Sequence, residues 1–158
     1  MVKNSPKAAG LQIIIKNLQK KVTVTALTQA LIKRAILKTC SLESVRKKGE
    51  ITVCLVNNRL IKELNLNYLA DYSATDVMAF DFALKERLVA DIVISTDAAV
   101  TNARRFKTSP NYELFLYVVH GMLHVLGYDD DSEEKKKLMD RKAAAILEKI
   151  CQYKKPKQ

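Results

Sequence analysis

The sequence predicts a single α+β domain: about four strands in a mixed sheet, packed by about five helices, with a metal site on the most apolar helix. Three observations carry this expectation. The chain has 158 residues, 48% of them hydrophobic, with only four glycines and three prolines, which is globular composition at the length of one domain. Short β-branched runs alternate with longer stretches of helical spacing. The only two histidines, His120 and His124, stand four residues apart in a nearly continuous apolar run.

Residues 1–9 are polar, carry Pro6 and are expected to form a flexible end. Leu11 to Ile15 reads as a strand. Thr25 to Thr39 is helical, with Thr25 as N-cap and Leu27, Leu31, Ile32, Ala35 and Ile36 on its apolar stripe. Arg46-Lys47-Lys48-Gly49 reads as a basic turn before a strand from Glu50 to Val56. Asn57 or Asn58 caps a helix carrying Leu60, Ile61, Leu64 and Leu66, and a loop from Asp71 to Ala74 follows. Asp76 to Phe82 and Ala90 to Ser95 read as strands joined by Lys85-Glu86-Arg87. Asp97 is expected to cap a short helix ending near Arg104-Arg105. Pro110 opens the histidine helix, whose apolar body runs from Glu113 to Gly127. Ser132-Glu133-Glu134 starts the last helix, with Leu138, Met139, Ala143, Ile146, Leu147 and Ile150 facing inward. The domain is expected to span residues 10–152, and residues 153–158 to form a basic tail.

A domain of this length buries roughly 70% of the surface its unfolded chain exposes. The formal net charge is +10. An excess this broad points to a polyanionic partner, nucleic acid first, with solubility as the plainer explanation. Cys40, Cys54 and Cys151 are widely spaced and odd in number. With no apolar leader at the N-terminus they read as reduced, buried thiols of a cytoplasmic protein. The longest apolar run is too short to span a bilayer, so no membrane partner is expected.

The decisive stretch is His120-Gly121-Met122-Leu123-His124-Val125-Leu126-Gly127-Tyr128-Asp129-Asp130. On a helix the two imidazoles face the same way, one turn apart. A helix apolar all round is buried, so its histidines need partners, either one shared metal ion or hydrogen bonds within a core. Gly127 permits the left-handed turn that ends the helix and brings carboxylates back over the pair. A His-Glu-x-x-His peptidase keeps its general base beside the first histidine, and here that place is Gly121.

The string His-Gly-Met-Leu-His-Val-Leu-Gly-Tyr-Asp resembles the signature of the YbeY family of bacterial rRNA maturation factors, also described as endoribonucleases. Leu64-Asn65 through Tyr68, Thr75-Asp76-Val77 through Phe80, Ala90 to Ser95, Glu113 and the helix around Met139 are similar to other parts of that family. The resemblance covers residues 50 to 150, and more loosely from residue 11. It implies one zinc ion per chain held by His120, His124 and the residue at position 130. It further implies a single-strand-specific endoribonuclease that processes the 3′ end of small-subunit rRNA, serves ribosome quality control and meets the ribosome or its proteins.

Three positions depart from the family pattern. Asp130 stands where the family has its third histidine ligand, Leu69 where it usually has an arginine implicated in activity, and Ala79 where it has a serine. Two imidazoles and one carboxylate still bind zinc, and suit iron or manganese too. They leave a divalent site near +1 rather than +2, which polarises bound water less. Asp130 is also shorter than histidine, so Asp129 or Asp131 is an alternative donor. Lys62, Arg104, Arg105 and Lys107 are the candidates for contacts with RNA phosphates. Thr75 and Asp76 are candidates for support of a ligand, with a strand-start turn as the plainer reading. Tyr128 reads as packing with its hydroxyl at the surface. The alternatives are a weak or inactive RNA-binding assembly factor and, more distantly, a metallopeptidase.

Overall fold

The computed structural model describes residues 10–71, 75–82 and 84–151. The expected flexible end at 1–9, the basic tail at 153–158 and residues 72–74 of the expected loop lie outside the described residues. The elements run β1 (Leu11–Asn17), α1 (Ala26–Leu42), β2 (Lys48–Val56), α2 (Asn58–Leu69), β3 (Val77–Asp81), β4 (Arg87–Ser95), α3 (Thr96–Phe106), α4 (Pro110–Val125) and α5 (Glu133–Cys151). The strands form one sheet of order β1-β2-β4-β3. β1 and β4 both pair with β2 in parallel, and β3 closes one edge antiparallel to β4. The sheet is therefore mixed, and the fold is a single α+β domain.

The period-2 alternation of the central strands feeds two cores. Val53 and Leu55 of β2 and Ile92 and Ile94 of β4 enter the main core, shared with α1, α4 and α5. Val56 and Val93 point to the opposite face and pack with Ile61 of α2 and Met78 of β3. Helix α4 lies in the middle of the main layer: eleven of its sixteen residues are buried, and it touches α1, α3, α5, β3 and β4. Its near-continuous hydrophobicity follows from having neighbours on every side. No helix among the described residues is long and apolar enough to cross a membrane.

Helix starts follow the expected chemistry with one exchange. Thr25 Oγ1, Asn57 Oδ1 and Ser109 Oγ accept from the backbone N–H groups of Thr28, Leu60 and Tyr112, and Pro110 occupies the first turn of α4. The cap of α3 is Ser95, not Asp97, because the helix begins two residues earlier than a cap at Asp97 implies. Asp97 instead reaches across to accept from the backbone N–H of Asn58 at 2.8 Å, serving the start of α2.

Other expectations are corrected at element edges. Lys48, Gly49 and Arg87 belong to strands, because β2 and β4 extend their parallel pairing down to Lys48↔Arg87. Asp76 precedes β3 rather than opening it. Leu27 and Leu66 are exposed, and Leu138 lies at the exposed edge of α5. Cys40 is buried and its thiol is pushed up to about 11 by burial, whereas Cys54 is only half-buried.

The contact that fixes the depth of α4 is at Gly121. A Cβ there would stand 2.6 Å from Ile92 Cγ2 and 3.3 Å from Val77 Cγ2. Both opposing atoms belong to β-branched side chains of the sheet, which are stiff. Gly121→Ala is therefore expected to cost about 1–3 kcal/mol by overpacking. Urea denaturation of the purified variant checks this, and an unchanged midpoint would show that the helix can lift off the sheet at no cost.

Candidate metal centre

Helix α4 brings both histidines to one cleft of about 300 Å³, lined by Thr75, Asp76, Tyr117, His120, His124, Asp130, Lys136, Met139 and Asp140, with Val77 at its wall. The histidines reach it because Gly121 and Leu123 turn the neighbouring faces of α4 into the core. The turn after α4 is built to return the chain. Gly127 has φ +98°. Its N–H donates to His124 O at 3.0 Å, and the N–H of Tyr128 donates to Leu123 O at 2.9 Å. These are the two bonds of a Schellman motif.

That motif aims the carbonyl of Tyr128 back at the helix, 3.1 Å from His124 Nδ1. A neutral His124 that donates from Nδ1 to this carbonyl keeps its lone pair on Nε2. Nε2 faces Asp130 Oδ2 at 3.8 Å. Asp129 joins them: one donor atom each from His124, Asp129 and Asp130 lie within 4.8 Å of one another. Asp131, the other alternative donor, pairs with Lys135 at 2.8 Å.

His120 is the more deeply set histidine. Among the described residues its Nε2 is the buried side-chain atom left without a hydrogen-bond partner. Asp140 Oδ1 stands 3.4 Å from it without forming a hydrogen bond. Burial holds the imidazole's ionisation below its usual range, against the pull of Asp140. A neutral ring with a buried lone pair facing carboxylates fits a divalent cation. Among the described residues the donors close enough to share one ion are those of His124, Asp129 and Asp130; His120, expected as a ligand with them, lines the same cleft but stands outside that group.

Behind the cleft, Asn102 Nδ2 donates to Tyr117 Oη at 2.7 Å and approaches Asp76 Oδ2 at 3.5 Å. Thr108 Oγ1 donates to Glu113 Oε1. Loss of water raises the Asp76 carboxyl above its usual range, opposed by His120 and Asn102. Burial raises Glu113 likewise. Thr75 Oγ1 donates to Val77 O at 3.1 Å, so its hydroxyl is used at the strand start, although it also borders the cleft.

The residues expected to contact RNA lie elsewhere. Lys62, Arg104, Arg105 and Lys107 are exposed, and none lines the cleft. The cation that does is Lys136. Leu69 is exposed at the end of α2, also outside the cleft. Ala79 packs against the main core. Sequence reasoning missed Tyr117 of α4 in the cleft, and also Lys136 and Asp140 of α5. The available signal for the latter two was their position one turn apart, flanking the inward Met139 on α5. Gly121 packs on Ile92, so this chain has no room for a peptidase's glutamate at that place.

Residues 14–151 match the sequence model of the family described as Endoribonuclease YbeY. The chain belongs to the YbeY family. Curated YbeY endoribonucleases are similar along nearly their whole length. That of Caldanaerobacter subterraneus subsp. tengcongensis is 34% identical, covering 89% of this chain and 98% of its own. That of Syntrophomonas wolfei is 31% identical, covering 89% and 97%. The solution structure of a Thermotoga maritima protein shares the fold with a TM-score of 0.60, at 23% identity over 93% of this chain and 99% of that one.

Tyr128 corrects a further expectation. Its hydroxyl is not free at the surface but donates to Glu43 Oε2 at 2.5 Å, while Lys142 Nζ donates to Glu43 Oε1 at 2.9 Å and lies over the Tyr128 ring. Burial alone would raise the Glu43 carboxyl, but the bonds from Tyr128 and Lys142 together hold it below its usual range. A depressed carboxylate stabilises the fold above its unfolded pKa, and this contribution is lost as pH falls through the folded value. Glu43→Gln is expected to cost roughly 1.5–3 kcal/mol at neutral pH. The cost should shrink on acidification below the ordinary glutamate range. Denaturant titrations of both proteins at neutral and acid pH test this, and a cost independent of pH would refute it.

Proposed function

We propose that the protein is a metal-dependent endoribonuclease that cuts single-stranded RNA and acts in rRNA maturation, at the 3′ end of small-subunit rRNA, and in ribosome quality control. Family membership supports ribonuclease chemistry. The observation that carries the metal dependence is the unpartnered, buried Nε2 of His120 in a cleft that also holds His124, Asp76, Asp130 and Asp140. Three carboxylates against one lysine repel an RNA phosphate. A chain of net charge +10 would present RNA with an acidic pocket unless a cation occupied it.

In this reading His120, His124 and Asp130 hold one zinc ion. When bound, zinc supplies Lewis-acid polarisation of a phosphate oxygen or activation of a water. The protein does the rest. The Tyr128 carbonyl fixes the His124 ring, and the Schellman turn fixes that carbonyl. Lys136, at the rim, meets a phosphate oxygen in place of the missing arginine. Lys62, Arg104, Arg105 and Lys107 hold the RNA backbone away from the cleft. The partners are single-stranded rRNA and the ribosome or its proteins, in the cytoplasm.

A second reading, an assembly factor that binds RNA but cuts poorly, is favoured by Leu69 lying exposed away from the cleft and by the carboxylate at position 130. End-labelled single-stranded RNA separates the two. The first predicts fragments that vanish with chelator and return with zinc. Tight binding without cleavage under any divalent metal selects the second. Asp130→His, which restores a neutral nitrogen donor and the higher positive charge, is expected to raise both metal affinity and cleavage rate. Unchanged values in metal titration and cleavage assays would remove the charge argument.

A further inference from the structure

Glu43, Tyr128 and Lys142 lie beside the cleft, and none of them lines it. Glu43 caps the C-terminus of α1, Tyr128 follows α4, and Lys142 lies on α5. Tyr128 is held at both ends. Its hydroxyl donates to Glu43 Oε2 at 2.5 Å, and its backbone carbonyl stands 3.1 Å from His124 Nδ1. Where the hydroxyl is tied therefore bears on where the carbonyl points. Packing alone holds this turn loosely. A Cβ at Gly127 would meet nothing within 4 Å, and a cavity of about 230 Å³ lies among Glu43, Val45, Leu126, Gly127 and Tyr128. Beyond Tyr128 the chain runs out to the exposed Asp129 and Asp130. The bond to Glu43, eighty-five residues away, thus joins the turn to a distant element just before those carboxylates. Lys142 completes the clasp. Its Nζ donates to Glu43 Oε1 at 2.9 Å and lies 5.0 Å from the centroid of the Tyr128 ring. Each carboxylate oxygen has its own donor, and bonds to a charged acceptor are among the stronger ones.

We propose that Glu43 is a positioning residue for His124, acting through Tyr128. By holding the phenol, Glu43 holds the Tyr128 carbonyl against Nδ1. That carbonyl keeps the ring proton on Nδ1 and leaves Nε2 bare toward Asp130 Oδ2, 3.8 Å away. The consequence for a bound cation rests on the metal reading above; the state of the ring does not. In Glu43→Gln the amide offers one acceptor oxygen to two donors, so one of the two bonds is lost. The turn is then free to move into the neighbouring cavity, and the carbonyl leaves Nδ1.

The test reads the His124 ring itself, by long-range proton–nitrogen NMR correlation of the metal-free full chain. Mildly alkaline buffer keeps the imidazoles neutral. The only two histidines give two ring patterns, and His120→Gln assigns them. Wild-type His124 is expected to carry its proton on Nδ1. Glu43→Gln and Tyr128→Phe are expected to convert it to a mixture of both tautomers. Each is also expected to weaken zinc binding by about tenfold, measured by competition with a chromophoric chelator. Tyr128→Phe removes a single oxygen atom, so it supplies the reading if Glu43→Gln unfolds. Ile36→Val loosens the core face of α1 two helical turns before Glu43 and is expected to leave the ring unchanged. A His124 ring unchanged in Tyr128→Phe, or shifted as far in Ile36→Val, makes the clasp merely structural and overturns the proposal. So does a wild-type ring protonated on Nε2. A tautomer shift in a chain that binds no zinc upholds the positioning role and defeats the metal reading alone.

Discussion

The close seat of α4 on the sheet is the constraint on which the rest of the structure depends. At Gly121 the helix backbone lies against Ile92 and Val77 with no room for a side chain. That seat fixes the height and rotation of the whole helix. The residues beside Gly121 are then placed without choice: Met122 and Leu123 enter the core, and His120 and His124 emerge in the cleft. The same contact allows α1, α3 and α5 to pack around α4, so one missing side chain sets the geometry of both core and site.

Much of the fold was legible because its signals are local. The alternation of apolar residues in 50–56 and 90–95 found the two central strands, and Thr25, Asn57 and Pro110 marked helix starts. The errors arose where a tertiary contact overrode a local signal. Asp97 looks like the cap of its own helix but caps its neighbour. Leu138 has the right spacing to be buried, but α5 covers the core with a narrower stripe than the spacing suggests.

The cleft divides in the same way. The two histidines and the returning turn were visible because their spacing is one helical turn and a glycine marks the stop. Lys136 and Asp140 were not, because what makes them cleft residues is the packing of α5 against α4. Tyr128 was half visible. Its backbone role follows from the turn, but its hydroxyl's partner, Glu43, lies eighty-five residues earlier in the chain. Glu43 follows α1, Tyr128 follows α4 and Lys142 lies on α5, so the three tie together the ends of separate helices around the turn that orients His124.

The side chains His120, His124, Asp129 and Asp130 all fall in one short segment at the α4–α5 junction. A site gathered from distant strands disappears when the chain unfolds, so its cation binds the native state alone. Here the unfolded chain keeps the same groups tethered within a few tens of ångströms. A cation bound as proposed would therefore retain some affinity for the denatured ensemble, and mass action would stabilise the fold only by the difference between the two affinities. Preorganisation by the sheet, not possession of the donors, is what separates those states. If the proposed cation binds, this segment would hold it early, before β1, β2 and β4 complete their parallel pairing, whose long-range contacts are slow to form.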